Sequence, residues 1–284
     1  MIVTSNIDDL RELLKPHLGH IGFVPTMGAL HQGHLSLIKH LGESSFKVMS
    51  IFVNPIQFGR NEDLSRYPRP IERDMELCRE SGIDLLFTPS NESVYPRGYR
   101  TYVEVEDWGN LLCGRVRAGH FRGVATVVLK LFNIVKPSIA AFGWKDAQQG
   151  LILRKMVSDL NLDVEIVLCP IVRDSDGLAL SSRNAYLTQS ERSLAARIPE
   201  CLQCAGDSYR EGLRDFAQIR EGMLQHFRKH PEIDVEYIEA VNMDDLEPAI
   251  ELRVGVLLAL AVRIGSTRLI DNWRVGAEPL PFDQ

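Results

Sequence analysis

The chain has 284 residues, of which 45% are hydrophobic and 25% are charged, and its formal net charge is −6 at pH 7. This composition is typical of a globular enzyme, and the acidic balance argues against nonspecific nucleic-acid binding as the main task. No apolar run is long enough for a transmembrane helix, and the first residues lack a signal-peptide pattern. We therefore expect a cytoplasmic protein without membrane or nucleic-acid partners, whose five cysteines are reduced thiols.

The first strong signal is an apolar strand followed by a glycine-rich turn and a helix. The strand is predicted over 21–26 and the helix over 34–42, and residues 25–34 read PTMGALHQGH. The first N–H groups of a helix are unpaired and lie at the positive end of its dipole, so this arrangement favours an anion. His31 and His34 stand three residues apart at this point, and both imidazoles can face one phosphate chain.

A zinc site or a solvated helix cap is the main alternative interpretation of the two histidines. Zinc needs a third ligand, and the common H-E-x-x-H pattern places its histidines four residues apart with a glutamate between them. Here the spacing is three, and the intervening residues are Gln32 and Gly33. The pattern therefore favours nucleotide chemistry over a metal centre.

Strand-like and helix-like segments continue to alternate up to about residue 175. Further strands are predicted over 47–53, 84–88, 138–142 and 163–169, and further helices over 72–81, 123–135 and 145–159. Such alternation indicates a parallel sheet covered by helices on both faces, and ligands bind such sheets at the carboxyl ends of the strands. We expect an α/β domain over 1–175, with its chemistry in the turns after Val24, Val53 and Phe142.

From residue 176 to 284 the pattern changes to helices followed by strands. Thr188 and Glu191 form a capping box that opens a helix predicted to run to about residue 211. A second helix is predicted over 213–229, and strands are predicted over 235–241 and 254–262. This order predicts a smaller α+β domain over 176–284.

Four further segments carry polar residues at strand ends or in loops. They read SIFVNPIQF (50–58), GHFRGV (119–124), FGWKDAQQ (142–149) and DGLALSSRN (176–184). Each one alone is equally well explained as a turn, a helix start or a cap. Together they would surround one crevice with a lysine, an arginine, two serines and two glutamines.

These motifs, with YPR at 67–69 and RLIDN at 268–272, resemble the pantothenate synthetase family of pantoate–β-alanine ligases. The resemblance implies a Rossmann-like domain of the HIGH-motif nucleotidyltransferase type, followed by the smaller α+β domain as a lid. It implies ATP-dependent condensation of (R)-pantoate with β-alanine to pantothenate, through a pantoyl adenylate that is formed with release of pyrophosphate and consumed with release of AMP. It also implies Mg²⁺ as cofactor and a homodimer.

The resemblance also assigns roles to residues of this chain. It implies a catalytic set with His34 as proton donor, completed by His31, Lys145 and Arg183. The implied ATP site comprises Met27, Gly28, Ala29, Leu30, His31, Gln32, Gly33, His34, Gly143, Trp144, Lys145, Asp146, Val172, Leu180, Ser181, Ser182 and Arg183. Gln57 and Gln149 are implied to bind pantoate, and Asp74 is the candidate outer-shell carboxylate for Mg²⁺.

Three positions depart from the family pattern, and two other functions stay open. Trp144 and Cys113 stand where glutamate is usual, and Pro70 stands where threonine is usual. The nearest alternative enzyme is another HIGH-motif adenylyltransferase that acts on a small carboxylate or phosphate. A nucleotide-binding sensor without catalysis is a second alternative, which the joint presence of histidines, lysine and arginine disfavours.

Overall fold

The computed structural model describes residues 1–43, 45–60, 62–276 and 281–282. The chain forms two compact units, Met1–Pro170 and Ile171–Gln284, which we call unit 1 and unit 2. Each unit has its own sheet. Within the described residues, no helix combines the length and the apolar character needed to span a bilayer.

Unit 1 is a six-stranded parallel sheet with helices around it. Its strands are β1 (Ile2–Thr4), β2 (Ile21–Thr26), β3 (Phe46–Ile51), β4 (Leu85–Phe87), β5 (Ile139–Gly143) and β6 (Glu165–Cys169). Its helices are α1 (Ile7–Leu14), α2 (Gln32–Ile38), α3 (Ile71–Glu80), α4 (Asn91–Val94), α5 (Cys113–Val116), α6 (His120–Val135) and α7 (Ala147–Asp159). Single 3-10 turns lie at Lys15–His17, Pro55–Gln57, Asp63–Ser65, Trp108–Asn110 and Trp144–Asp146.

The strand order of unit 1 is β1-β4-β3-β2-β5-β6, which places β2 between β3 and β5. The chain builds outward from β2 in one direction through β3 and β4, and then in the other direction through β5 and β6. Ligands of open parallel sheets bind where the strand order reverses in this way, beyond the carboxyl ends of the strands. The turns after β2, β3 and β5 therefore meet at the expected place, and the predicted Rossmann-like α/β fold is confirmed.

Unit 2 is a three-stranded antiparallel sheet packed with helices, as the predicted α+β domain requires. Its helices are α8 (Gln189–Ala195), α9 (Arg197–Arg210) and α10 (Phe216–Arg228), and a 3-10 turn lies at Ser182–Tyr186. Its strands are β7 (Ile233–Asn242), β8 (Val256–Ile264) and β9 (Thr267–Arg274), in the order β7-β8-β9. Apolar side chains of helices and sheet form one core, among them Leu202, Met223, Leu258, Leu260 and Trp273.

The prediction of one long helix after the capping box at Thr188 is wrong. The capping box is present, but α8 ends at Ala195 and α9 begins at Arg197. Pro199 explains the break, because its ring clashes with the carbonyl four residues earlier in a continuous helix, which is that of Ala195. Proline is tolerated in the first turn of the new helix, where its missing N–H has no intrahelical acceptor.

Two strands and the helix α1 were not predicted from the sequence, and several helices begin at other residues than expected. The helix predicted over 34–42 is α2, which runs from Gln32 to Ile38. β1 is a strand of three residues at the sheet edge, too short to show a pattern, and β9 contains the whole RLIDN segment. α6 begins at His120 instead of residue 123, and α7 begins at Ala147 after a 3-10 turn instead of at residue 145. These shifts of a few residues leave the site turns where they were predicted.

Candidate active site

The turn after β2 is held by groups that are distant in sequence. Gly28 has a φ of +80°, and a Cβ on it would stand 2.9 Å from Oδ2 of Asp74. The Asp74 carboxylate accepts the main-chain N–H groups of Ala29 and Leu30, both at 2.8 Å. The hydroxyl of Thr26 accepts the N–H of Gly28 at 3.1 Å. The turn therefore needs both a glycine and a buried carboxylate behind it.

The two histidines form a capping box at the start of α2. His31 is the N-cap, and its Nδ1 accepts the N–H of Gly33 at 3.1 Å. Nδ1 of His34 accepts the N–H of His31 at 3.4 Å. An Nδ1 that accepts a hydrogen bond carries no proton, so a neutral ring must carry it on Nε2. Both rings therefore turn an Nε2–H donor away from the helix, with their centroids 4.1 Å apart.

Burial keeps both imidazoles neutral. Together with a smaller effect of the positive charge of Lys145, it lowers the pKa of His31 to about 4. It lowers the pKa of His34 to about 3, with smaller contributions from His31 and Lys145. Lys145, which follows β5 in the sequence, thus contributes to the lowered pKa of both rings. At neutral pH the pair supplies hydrogen-bond donors without a formal positive charge.

A cavity of about 160 Å³ lies beside these histidines in unit 1. Its polar lining brings together predicted residues from three turns: Met27, His34, Gln57, Asp146 and Gln149. Its apolar lining comes largely from one face of α6, at Val124, Val127, Val128 and Leu131. A small cavity with an apolar wall and a few convergent polar groups is the usual form of a small-molecule site.

The amide of Gln57 has a defined orientation in this cavity. Nδ2 of Asn54 donates to the carbonyl of Gly123 at 3.1 Å, and a carbonyl can only accept. The same nitrogen donates to Oε1 of Gln57 at 2.8 Å, while the Tyr95 hydroxyl donates to Oδ1 of Asn54 at 2.8 Å. Oε1 of Gln57 is thereby engaged, and its Nε2 lies on the other side, 3.2 Å from Sδ of Met27. Gln57 consequently offers an N–H donor to a ligand.

Two adjacent glutamines in the first turn of α7 have different surroundings. Gln149 lines the cavity, whereas Gln148 is buried and donates to the carbonyls of Trp108 and Leu111 at 2.9 and 2.7 Å. Its Oε1 accepts the N–H of Cys113 at 3.0 Å. Gln148 therefore anchors the segment before α5 and leaves Gln149 to meet a ligand.

Trp144 and Lys145 belong to the same 3-10 turn as the cavity-lining Asp146. Nζ of Lys145 is 3.8 Å from Oδ2 of Asp146. The side chain of Trp144 is buried, and the Arg154 guanidinium lies 5.7 Å from the centroid of its ring. The tryptophan that departs from the family pattern is thus packed against a cation instead of being displayed to solvent.

The remaining predicted nucleotide-binding residues lie on one hairpin of unit 2. The N–H of Leu180 donates to the carbonyl of Val172 at 2.9 Å, and the hydroxyl of Ser181 caps the turn that contains Ser182 and Arg183. A buried, bidentate ion pair fixes the base of the hairpin.

Arg173 and Asp271 tie this hairpin to the sheet of unit 2. The guanidinium of Arg173 donates to both oxygens of Asp271, at 2.7 and 3.1 Å, and both side chains are almost fully buried. A two-point charge-assisted bond of this kind fixes direction as well as distance. Asp271 belongs to the RLIDN segment, so the structure gives that motif an anchoring role.

Several residues of the site were not assigned roles by the sequence analysis. They are Asn54, Tyr95 and the apolar residues of α6 that line the cavity. Asn54 had a signal, since an Asn-Pro pair ends a buried strand, but that pair also reads as an ordinary turn. Asp74 was assigned beside magnesium, but two backbone N–H groups engage its two oxygens and only 1% of the residue is exposed. Its geometry is that of a group that holds the turn.

Comparison with known proteins gives a consistent result. The family model for pantoate-beta-alanine ligase matches residues 2–274. A pantothenate synthetase from Acetivibrio thermocellus is 50% identical over 276 residues, which cover 96% of this chain and 98% of the relative. One from Pelotomaculum thermopropionicum is 49% identical over 280 residues, covering 97% and 99%.

Solved structures agree with these matches. The crystal structure of pantothenate synthetase from Thermus thermophilus is similar with a TM-score of 0.93 and 44% identity, covering 97% of this chain and 99% of that one. The pantoate-beta-alanine ligase from Francisella tularensis, complexed with beta-gamma ATP and beta-alanine, has a TM-score of 0.80 and 35% identity, covering 98% and 99%.

Proposed function

Because the chain belongs to the pantoate–β-alanine ligase family, we propose that it condenses (R)-pantoate with β-alanine to form pantothenate, using ATP. The observation that carries the proposal is the single cavity lined by His34, Gln57 and Gln149. It combines donors suited to phosphate oxygens with amides suited to a hydroxylated acid. The relative from Francisella tularensis, which was solved in complex with beta-gamma ATP and beta-alanine, supports the same substrates.

The proposed reaction has two steps. Direct attack of an amine on a carboxylate would require an oxide ion to leave, whereas here pyrophosphate leaves in the first step and AMP in the second. A carboxylate oxygen of pantoate attacks the α-phosphorus of ATP, the bond to the β-phosphate oxygen breaks, and pyrophosphate leaves. The amine of β-alanine then attacks the acyl carbon of the pantoyl adenylate, the C–O bond breaks, and AMP leaves as the amine loses a proton. The first step joins two anions, so the site must supply donors and positive charge.

His31 and His34 supply neutral N–H donors to the phosphate chain in this proposal. The resemblance makes His34 a proton donor, but a ring whose pKa is lowered to about 3 is not protonated at neutral pH. Its Nε2–H can hydrogen-bond a phosphate oxygen without giving up the proton. We therefore assign His34 to stabilisation of negative charge on the reacting phosphate.

The formal positive charge comes from a lysine of unit 1 and an arginine of unit 2. Lys145 lies near both histidines, and its charge lowers their pKa values. Arg183, with Ser181 and Ser182, lies on the hairpin that the Arg173–Asp271 ion pair anchors. We propose that unit 2 acts as a lid that brings this hairpin to the triphosphate. The implied ATP contacts at residues 27–34 and 143–146, and at Val172 and Leu180, belong to the same proposal.

Pantoate occupies the cavity, with its polar groups toward the glutamines. The Nε2–H of Gln57 suits a carboxylate or hydroxyl oxygen, and the amide of Gln149 can serve a hydroxyl group. The branched dimethyl carbon of pantoate suits the apolar wall formed by Val124, Val127 and Val128.

Magnesium is proposed as the ion that accompanies ATP. It would neutralise charge on the triphosphate, and this ion usually keeps several waters and binds through substrate phosphates. Asp74 is almost completely buried, and both of its oxygens accept main-chain N–H groups, so it fits an outer-shell position and not direct ligation. Asp146 is the carboxylate that lines the cavity, and half of its side chain is exposed.

Homodimerisation and a cytoplasmic location rest on the resemblance. The thiols of Cys78, Cys113, Cys169, Cys201 and Cys204 are compatible with a reducing compartment. Sedimentation equilibrium tests the first proposal, because a mass of 32.0 kDa in place of twice that value at micromolar concentration would contradict it. Fractionation of the source cells tests the second.

Product analysis tests the proposed function. Reactions with ATP, Mg²⁺, (R)-pantoate and β-alanine should release AMP, pyrophosphate and pantothenate in equal amounts, and omission of any one substrate should abolish pantothenate. The matched control is 3,3-dimethylbutyrate, which keeps the branched carbon and the carboxylate but lacks both hydroxyls. AMP release that is equally fast with this acid, or amide formation without β-alanine selectivity, would favour a general carboxylate adenylyltransferase instead.

A further inference from the structure

The first turn of α6 contacts the main chain of Gln57 at two points. Nδ1 of His120 is 2.8 Å from the carbonyl oxygen of Gln57. One helical turn later, a Cβ on Gly123 would lie 2.7 Å from Cα and 2.8 Å from N of Gln57. Residues three apart share a helix face, so one face of α6 lies directly against this residue. The carbonyl at the end of the Pro55–Gln57 turn obtains its partner from His120.

The protonation of His120 is determined by its two neighbours. A carbonyl only accepts, so Nδ1 must donate to Gln57. A guanidinium only donates, so Nε2, which is 2.9 Å from Nη1 of Arg117, must accept. The ring is therefore neutral, and burial together with the charge of Arg117 lowers its pKa to about 3.

Arg117 is itself held in place by an ion pair. Its Nε and Nη2 donate to the two oxygens of Glu62 at 2.8 and 2.6 Å, and both side chains are largely buried. Because this two-point ion pair fixes the orientation of the guanidinium, Nη1 points toward His120. Glu62, Arg117 and His120 thus form a chain of contacts that ends on the main chain of Gln57. Cys113, where the family pattern has glutamate, is not needed to pair Arg117.

We propose that His120 is a positioning residue for pantoate, which holds the main chain of Gln57 so that its side-chain amide faces the substrate. The proposal rests on the proposed function, since it requires Gln57 to bind pantoate. His120 differs from Asn54 in what it holds, because Asn54 orients the Gln57 amide and His120 fixes the backbone from which that amide projects. Loss of one such hydrogen bond should raise the KM for pantoate about tenfold.

Two near-isosteric variants separate positioning from general stability. In His120→Asn the amide N–H can take the place of Nδ1 and still donate to Gln57. In His120→Gln the amide can take the place of Nε2 and keep the contact with Arg117, but the donor to Gln57 is lost. We expect His120→Gln to raise the KM for pantoate about tenfold with the KM for ATP and the melting temperature nearly unchanged, and His120→Asn to stay close to wild type.

Combining His120→Gln with Gln57→Ala or with Gln149→Ala shows through which glutamine His120 acts. The effect of His120→Gln should disappear in Gln57→Ala and persist in Gln149→Ala, because only Gln57 is held by His120. Arg117→Lys is a second test, since it keeps a charge beside Glu62 but disturbs the donor to Nε2, and it should raise the KM for pantoate without affecting that for ATP.

Different results would contradict the proposed role of His120 and the proposed binding of pantoate by Gln57. If Gln57→Ala raises the KM for pantoate but His120→Gln leaves it unchanged, or raises the KM for ATP equally, His120 is not a positioning residue for pantoate. The same conclusion follows if the effects of His120→Gln and Gln57→Ala add. If Gln57→Ala itself leaves the KM for pantoate unchanged, the placement of pantoate and the role of His120 are both overturned.

Discussion

His31 and His34 combine two tasks that are usually given to different residues. Each ring uses Nδ1 to cap α2 and keeps Nε2–H for a ligand. Because the capping bond consumes the lone pair on Nδ1, it also selects the tautomer. In the proposed function a helix cap and a phosphate donor are therefore the same side chain, and a serine or aspartate in place of either histidine would keep a cap but lose the outer N–H donor.

This arrangement predicts different outcomes for two amide substitutions of His34. In His34→Asn the amide matches the position of Nδ1 and the outer donor is lost, so pantoate-dependent pyrophosphate exchange should fall roughly 10²–10³-fold. In His34→Gln an amide N–H can reach the position of Nε2, and at least a tenfold higher rate should remain. Exchange at a near-normal rate in His34→Asn would remove the Nε2–H group from the mechanism.

Residue-level predictions from the sequence rest on local signals, and the structure brings Gln57, Gln149 and His34 to one cavity of unit 1. The HxGH spacing and the strand before it are contained in a stretch of ten residues, and Gln57 and Gln149 each follow a predicted strand. The role of Asp74 could not be predicted in this way, because Asp74 contacts Ala29, which lies 45 positions away in the sequence. A local pattern carries no information about which carboxylate the fold will bring behind a turn.

At the scale of elements, the turn between β2 and α2 shows why a helix start alone does not define the site. Its conformation depends on Gly28 at positive φ, on Thr26 at the end of β2 and on Asp74 in α3. Three elements must be in place before the turn takes this conformation and the two histidines stand at the start of α2. The site is thus a property of the packed sheet and helices.

A pair of glycine substitutions isolates the packing part of this requirement. Gly19 and Gly28 have φ values of +87° and +80°, but a Cβ on Gly19 meets nothing within 4 Å. Gly19→Ala should therefore cost only the strain of the left-handed region, about 1 kcal/mol in the free energy of unfolding. In Gly28→Ala the Cβ would stand 2.9 Å from both Oδ2 of Asp74 and Cγ2 of Ile51, which should cost a further 1–3 kcal/mol, roughly.

Urea unfolding and adenylation rates measured on both variants check this expectation. Gly28→Ala should also lose adenylation activity, while Gly19→Ala should keep it. Equal loss of stability in the two variants would show that Asp74 and Ile51 can move aside, and that close packing behind the turn is not required.

Element boundaries were predictable wherever a single proline or glycine rule decided them. Pro199 ends one helix and begins the next, and this break could have been read from the sequence. The short edge strand β1 could not, since three half-exposed residues become a strand only because β4 lies beside them. Pairing partners, and with them the strand order of the sheet, depend on tertiary contacts.

At the scale of the whole molecule, three neutral histidines make stability depend on pH. His31, His34 and His120 have pKa values lowered from 6.5 to about 4, 3 and 3, mainly by burial. Above pH 6.5 these rings are neutral in both the folded and the unfolded chain, so they cause no pH dependence there. As the pH falls below 6.5 the unfolded chain binds protons that the folded chain does not, and the free energy of unfolding decreases.

Urea unfolding between pH 7 and pH 5 measures this effect above the range in which most carboxylates titrate. The free energy of unfolding should decrease with a slope that approaches three protons near pH 5. His120→Asn should reduce that slope by about one proton, because asparagine does not titrate. A free energy of unfolding that stays constant from pH 7 to pH 5 would contradict the neutral state assigned to the three rings.

The central claim is that the protein catalyses attack of a carboxylate oxygen on the α-phosphorus of ATP. Pantoate labelled with ¹⁸O in both carboxylate oxygens follows that oxygen directly through the reaction with ATP and β-alanine. One label should appear in AMP and one in the amide carbonyl of pantothenate, and none should appear in pyrophosphate. Label in orthophosphate, with ADP as the co-product, would show attack on the γ-phosphorus and would contradict the adenylate mechanism.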